Sequence, residues 1–261
     1  MLRALWASAS GMEAQQMNID NIANNLANVN TTAFKKSNVE FQDLMYQTER
    51  AAGAATASGG QIPTGIQIGH GSRPVSTAKS FSQGSMQSTG VPLDLAIQGD
   101  GFFEVLQSDG TSAYTRDGSF KLNSSGQVVT ADGLPVKGLD AIPAGTTSIT
   151  IGSDGSISVM VAGVLTKKTP ITLVRFPNET GLQSVGQNLY KATDSSGTAE
   201  TGGIPGQNGF GTISQGFLEM SNVETVQEMV NMIVAQRAYE VNSKAIQTAD
   251  QMMSLANNLR Q

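Results

Sequence analysis

The residue types that most often carry chemistry are nearly missing from this 261-residue chain, which holds no Cys and a single His, His70. Without a thiol there is no disulfide, no thiolate nucleophile and no Cys-ligated zinc or iron–sulfur centre. One imidazole excludes any site that takes two from one chain, such as the His-Glu-x-x-His zinc helix or the two-His-one-carboxylate iron site. No Ser lies between glycines at nucleophile-elbow spacing. A triad of His70 with a Ser and an Asp is a matter of geometry, but His70 stands between Gly69 and Gly71 in a loop-like stretch, where an exposed or backbone-bonded ring is expected. Gly69-His-Gly71 and Gly99-Asp-Gly101 lack the third Gly of the dinucleotide fingerprint, and no Gly-Lys-Ser/Thr phosphate loop occurs. Asp100, Asp109, Asp117, Asp132 and Asp154 each precede a Gly, the habit of turn formers and not of paired glycosidase carboxylates. No catalytic residue, cofactor site or metal site is assigned, no cofactor is expected, and the chain is not read as an enzyme.

Charge narrows the partners. Lys and Arg number 16 against 21 Asp and Glu, a net charge of −5, and the longest basic run is a pair, so the Lys/Arg clustering that neutralises nucleic-acid phosphates is missing. One such pair, Lys35-Lys36 after Phe34, reads as a solvated helix-exit turn, with contact to an acidic partner as the alternative. Ser8, Ser10, Glu13, Gln15 and Gln16 interrupt any apolar signal-peptide region. No run approaches the ~18 apolar residues of a membrane span, so neither a cleavable signal peptide nor an integral membrane protein is expected.

Both ends of the chain carry a helical period. Leu5, Met12, Ile19 and Leu26 recur every seven residues, with Ile22 and Val29 on adjacent positions, and predict a helix over 2–29. At the other end a stretch free of Gly and Pro runs from Val223 to Gln261 behind the potential caps Ser221 and Asn222. There Met232, Tyr239, Ile246 and Met253 repeat by seven, with Ala235, Ala249 and Ala256 between them. These ends pack either on each other as ordinary core helices or on further copies of the chain. Association is favoured by the narrow seam and by the six Asn in the first thirty residues, beside Arg3, Glu13 and Asp20 as the charges there, because amides hydrogen-bond at an interface without the desolvation cost of full charges.

Between them, residues 51–90 are rich in Ala, Gly, Ser and Thr, as a linker would be, with Ile62, Ile66, Ile68, Val75 and Phe81 pinning parts of it in extended form. From about Leu93 the Asp-Gly pairs punctuate short apolar runs such as 102–106, 119–122, 127–130, 148–151 and 171–176, a hairpin signature. The fold class is therefore α+β: long amphipathic terminal helices forming a coiled-coil-like layer, with a central antiparallel β domain, a meander or small barrel. The segments are an N-terminal helical assembly segment 1–45, an extended connection 46–92, a β-rich domain 93–220 and a C-terminal helical assembly segment 221–261.

Three blocks together resemble the bacterial flagellar rod and hook family. The first is Leu5-Trp-Ala-Ser-Ala-Ser-Gly-Met-Glu-Ala-Gln-Gln16 with residues 20–36. The second joins Asp94-Leu-Ala-Ile-Gln-Gly-Asp-Gly-Phe-Phe-Glu-Val105 to Tyr114-Thr-Arg-Asp-Gly-Ser-Phe120. The third joins Ser221-Asn-Val223 to residues 232–244. The first and third blocks are common to rod and hook proteins. The Leu-Trp and Gly-Met-x-Ala-Gln-Gln pattern, the short length and the segment from Tyr46 and Gln47 to Pro63 are similar to the distal rod branch, where the family associates that segment with a straight, rigid tube. Ala33 stands where the family usually has Gly; since Ala tolerates positive φ poorly, a helix continuing through Phe34 is expected.

The resemblance implies a structural subunit of the distal rod, polymerising into a hollow drive shaft that carries torque from motor to hook and conducts exported subunits. Its implied partners are further copies in a helical tube, proximal rod proteins, hook protein, envelope ring (bushing) proteins and the flagellar type III export apparatus, with no nucleic acid. Its implied place is the basal body, across the periplasm to the outer membrane. Other axial proteins, proximal rod or hook, are alternatives, as is a peptidoglycan-binding or peptidoglycan-hydrolysing β-domain protein. The assembly interface is assigned to Leu5, Met12, Ile19, Ile22, Leu26, Val29, Met232, Tyr239, Ile246 and Met253, and the rod-type segment to Tyr46, Gln47 and Pro63.

Overall fold

The computed structural model describes residues 2–53, 63–139 and 141–258, which fall into two compact units. The first draws on 1–27, 37–78 and 224–261, the second on 28–36 and 79–223.

In the first unit, α1 (Leu2–Ala27) and α2 (Thr225–Asn258) are the two helices expected at the ends. The 34 residues of α2 give a rod of roughly 50 Å at ~1.5 Å per residue. The expected helix over 2–29 stops at Ala27, and the chain turns where the Thr31 amide donates to the Asn28 carbonyl at 3.2 Å. Beyond that turn the segment 1–45 is not helical: β1 (Ser37–Asp43) is a strand. It pairs with β4 (Ser72–Lys79), while β2 (Tyr46–Arg50) pairs antiparallel with β3 (Ile66–Gly69), Tyr46 opposite Gly69. The anticipated pinning at Ile66, Ile68 and Val75 is thus strand pairing on both sides of the small-residue stretch.

The second unit is built from fifteen short strands among its described residues. They are β5 (Met86–Ser88), β6 (Leu95–Gln98), β7 (Phe103–Leu106), β8 (Ser112–Thr115), β9 (Lys121–Leu122), β10 (Val128–Val129), β11 (Thr146–Ile151), β12 (Ile157–Val161), β13 (Val164–Lys168), β14 (Leu173–Arg175), β15 (Gln183–Gly186), β16 (Leu189–Lys191), β17 (Glu200–Gly203), β18 (Thr212–Gln215) and β19 (Phe217–Glu219). One sheet runs β15-β16-β8-β7 and another β11-β12-β13; β5 pairs with β19, β6 with β18, β9 with β10 and β14 with β17. All these pairings are antiparallel. The strands do not close into the small barrel offered as one alternative: they are short, they belong to separate sheets, and β7 and β15 remain edges of the widest one.

Two Asp-Gly pairs show that one dipeptide serves two purposes. Asp109-Gly110 turns β7 into β8, with Gly110 at φ 81° and the Asp109 carboxylate accepting the Thr111 amide at 2.8 Å, the conformation that favours Gly. At Asp117-Gly118 no positive φ is needed. There the Leu95 amide donates to the Gly118 carbonyl at 3.1 Å, and a Cβ on Gly118 would collide with the Leu95 carbonyl oxygen.

Alternation along the chain at Phe102 and Phe103 divides the interior in two. Phe103 packs with Leu95, Ile97, Val105, Leu173 and Ile213. Phe102 packs with Tyr114, Val174, Phe176, Leu182 and Tyr190, an aromatic group set edge to face, as in the 4.8 Å Tyr114–Phe176 pair, the arrangement that ring quadrupoles favour. This unit therefore completes its own core.

Candidate functional site

Within the first unit α1 and α2 pack on one another. Among the described residues the buried side chains of these helices are, apart from Ile22, small or polar: Ala14 and Asn25 on α1, and Glu228, Ala235 and Ala249 on α2. Of the ten residues assigned to the seam, only Ile22 is buried; Leu5, Met12, Ile19, Leu26, Val29, Met232, Ile246 and Met253 are half-buried and Tyr239 is 38% exposed. Leu26 ends α1 and Val29 lies beyond it. The closest line on α2 is instead Glu228, Ala235, Asn242 and Ala249, also spaced by seven. Helix axes approach as far as their side chains permit, and at Gly11 a Cβ would come within 2.8 Å of Asn242 Nδ2. The large apolar residues of the heptad flank this small-residue line.

Among the six Asn, Asn28 Oδ1 accepts from the Thr31 hydroxyl at 3.1 Å. Asn21 and Asn25 both donate to the Ser37 carbonyl, at 2.6 and 2.9 Å, and Asn25 Oδ1 accepts the Ser37 amide at 3.1 Å. They tie the start of β1 to α1.

What the seven-residue pattern missed is the opposite face of α2. Val226, Val230, Ile233 and Val241 fall within about 80° of arc at ~100° per residue, and they are 65%, 48%, 58% and 65% exposed. Trp6 on α1 is 73% exposed. Covering one such side chain contributes about 1.5–3 kcal/mol, and a contiguous apolar stripe on a helix marks a contact surface. The signal was in the sequence, at spacings of four and seven from Val226, but a second heptad drew attention to the other side.

In the second unit the expectation for Lys35 is overturned. Lys35 is not solvated: its side chain is wholly buried, with Nζ 2.6 Å from Glu219 Oε1 and 2.8 Å from the Ser82 carbonyl. Glu219 Oε1 also accepts the Gly84 amide at 2.9 Å, and Glu219 Oε2 faces Arg116 Nε at 3.2 Å without hydrogen-bond alignment. Arg116 also donates to the Gly99 carbonyl and lies 5.7 Å over the Phe102 ring. Two cations thus share one carboxylate. Burial, reinforced by the Arg116 charge, pulls the Lys35 ammonium below the ordinary lysine range, with Glu219 opposing the shift. Nearby, burial pushes the Tyr190 hydroxyl up to about 12 and lowers Lys79, whose ammonium sits over the Phe34 and Tyr190 rings. A chain turn of type Phe-Lys-Lys carries no sign of the partner, because Glu219 is 184 residues away in sequence.

The backbone beside this cluster reverses a second expectation. Ala33 is not helical but adopts φ 54°, while its amide donates to the Glu219 carbonyl at 2.8 Å and its side chain is buried. The surrounding bonds hold Ala in a conformation Gly takes freely.

Tyr46 and Gln47 lie on exposed β2 and Pro63 is exposed; residues 54–62 of the rod-type stretch lie outside the described residues. Donation to the Asp43 carboxylate holds the Tyr46 hydroxyl above its usual range. His70 is exposed in the link between β3 and β4. A cleft of about 490 Å³ beside β11 is lined by Asn123, Ser124, Ser125, Thr146, Thr147 and Ser148 over apolar neighbours, with no titratable side chain among the described residues. Among the described residues no His, Asp or Glu cluster could hold a metal ion, and no helix is long and apolar enough to cross a membrane.

Comparison with known proteins covers the same stretches as the quoted blocks. Residues 5–35 match the family model described as "Flagella basal body rod protein", residues 96–159 "Flagellar hook protein FlgE/F/G D1 domain", and residues 214–259 "Flagellar basal body rod FlgEFG protein C-terminal". A relative from Borreliella burgdorferi called "Flagellar basal-body rod protein FlgG" is 52% identical over 100% of this chain and 99% of its own. Proteins of the same name from Caulobacter vibrioides and Bacillus subtilis are 46% and 44% identical, over 99% and 100% of this chain and all of theirs. With likeness of this degree along its whole length, the chain belongs to the FlgG family of flagellar basal-body rod proteins.

Proposed function

We propose that the chain is a structural, non-enzymatic subunit of the flagellar distal rod, polymerising through its terminal helices into a rigid hollow shaft that transmits torque from motor to hook and conducts exported subunits. The observation that carries this reading is the contrast between the units: the β-rich one has a complete core, whereas α2 leaves Val226, Val230, Ile233 and Val241 in water. A helix pair of this kind is completed by neighbours. On this reading, proximal rod proteins, hook protein and the envelope ring are its contacts, the type III apparatus exports it without a cleavable signal peptide, and the rod spans the periplasm to the outer membrane. The half-buried heptad residues Leu5, Met12, Ile19, Met232, Ile246 and Met253 complete their burial against other copies. The segment from Tyr46 to Pro63 stiffens the tube.

Removal of 1–30 or of 225–261 tests the reading. The expected product is a folded, monomeric β-rich unit that no longer enters rods, measured by circular dichroism, sedimentation and electron microscopy of isolated basal bodies. Normal incorporation of either truncated chain overturns it. Soluble fragments released from cell-wall sacculi by the purified protein, and lost on His70→Ala, would instead establish a hydrolase.

A further inference from the structure

Between α1 and α2, within the first unit, lies a groove of about 390 Å³ lined by Asn18, Asn21, Asn25, Asn38 and Asn231 together with Glu228. Glu228 is 4% exposed, and among the described residues neither a hydrogen bond nor an ion pair reaches its carboxylate. Its carboxylate opens into the groove, where a cation can meet it.

We infer that this groove receives the ammonium of Lys244 from α2 of a second copy of the chain, an inference that rests on the polymer reading above. Lys244 is exposed and among the described residues takes part in no ion pair, whereas Arg237 on the same helix is held by Glu240 at 3.0 Å. The chain's own Lys244 cannot reach, since sixteen residues of helix separate it from Glu228 by about 24 Å at ~1.5 Å per residue. The chemistry matches: an ammonium has three N–H donors on a slender stem, and the groove offers a carboxylate plus amide carbonyls. Asn21 and Asn25 are engaged with Ser37 and Asn231 Oδ1 with Gln227, which leaves Asn18 and Asn38 to supply those carbonyls. The exposed stripe on α2 supplies the apolar contact that would bring a second α2 alongside. In a head-to-tail arrangement each such bond leaves one Lys244 and one Glu228 open for the next copy.

Charge reversal tests this in a flagellated host lacking its own copy of the gene. Glu228→Lys alone and Lys244→Glu alone each set like charges face to face and are expected to cut the number of complete rods at least tenfold. The two single variants expressed together, or both changes in one chain, restore opposite charges at the contact and are expected to return rod numbers to within twofold of the unaltered chain. Unimpaired rods with either single variant overturn the pairing, as does failure of both restoring combinations when circular dichroism shows each chain folded. Failure of the unaltered chain to form rods in that host would overturn the polymer reading itself.

Discussion

Lys35 and Glu219, 184 residues apart in sequence, meet at 2.6 Å with both side chains wholly out of water, and Arg116 approaches the same carboxylate at 3.2 Å. The arrangement is asymmetric, since among the described residues Glu219 serves two cations while each cation pairs with one carboxylate. Glu219 also fixes Gly84 through its side chain and Ala33 through its carbonyl.

Removing Glu219 therefore costs more than removing Lys35. Glu219→Gln leaves two buried cations facing each other and is expected to lower stability by about 3–5 kcal/mol. Lys35→Met leaves the carboxylate paired with Arg116 and is expected to cost less. Urea unfolding of the two variants checks the order; an equal or reversed cost rules out the shared-carboxylate account.

Ala33 supplies a second test. Ala33→Gly removes a left-handed backbone cost of roughly 1–2 kcal/mol and loses a buried methyl worth about 0.8 kcal/mol, so the melting temperature is expected to stay close to that of the unaltered chain. Ala33→Val adds branching at a buried residue with φ 54° and should destabilise by at least about 2 kcal/mol. Calorimetry on both variants decides it.

Alkaline pH reads out Tyr190. Its folded-state hydroxyl is pushed up to about 12 by burial, against about 10 for a free tyrosine. The unfolded chain therefore loses this proton first, and stability present below about pH 10 drains away as pH rises toward 12. Two units at ~1.4 kcal/mol each set the scale at up to about 3 kcal/mol. Tyr190→Phe is expected to match the unaltered chain at pH 8 and to fall off less steeply above pH 10 in thermal melts. Lys35, with its lowered value, acts in the opposite sense below 10.5 in both proteins, so the difference between them isolates Tyr190.

The apolar stripe of α2 makes the remaining prediction. Ile233 is 58% exposed, so Ile233→Asp removes little packing within the subunit, and helix content by circular dichroism is expected to be unchanged. Placing a carboxylate in a covered apolar contact is costly, so rods and swimming should be lost. Normal swimming would show that this face is not covered.

Much of the architecture is local, and local chemistry is what a sequence carries. Heptad spacing, joined in α2 by a run free of Gly and Pro, specified α1 and α2 to within a few residues, because a helix is made of contacts three and four residues apart. Asp109-Gly110 announced its hairpin, because its turn is closed by neighbours only. The motif blocks revealed the family for a related reason: they are contiguous runs.

Other features depended on residues brought together from far along the chain. The Phe-Lys-Lys turn read as solvated until β19 placed Glu219 against Lys35. Ala33 read as helical until the Glu219 carbonyl captured its amide in a left-handed turn. The heptads named Met232 and Tyr239, but the packing of α1 on α2 chose Ala235 and Ala249 for the closest approach and left Val226 and Ile233 outward. In each case side-chain type set what was chemically possible, while burial and partner, which only the tertiary structure supplies, decided which possibility was taken.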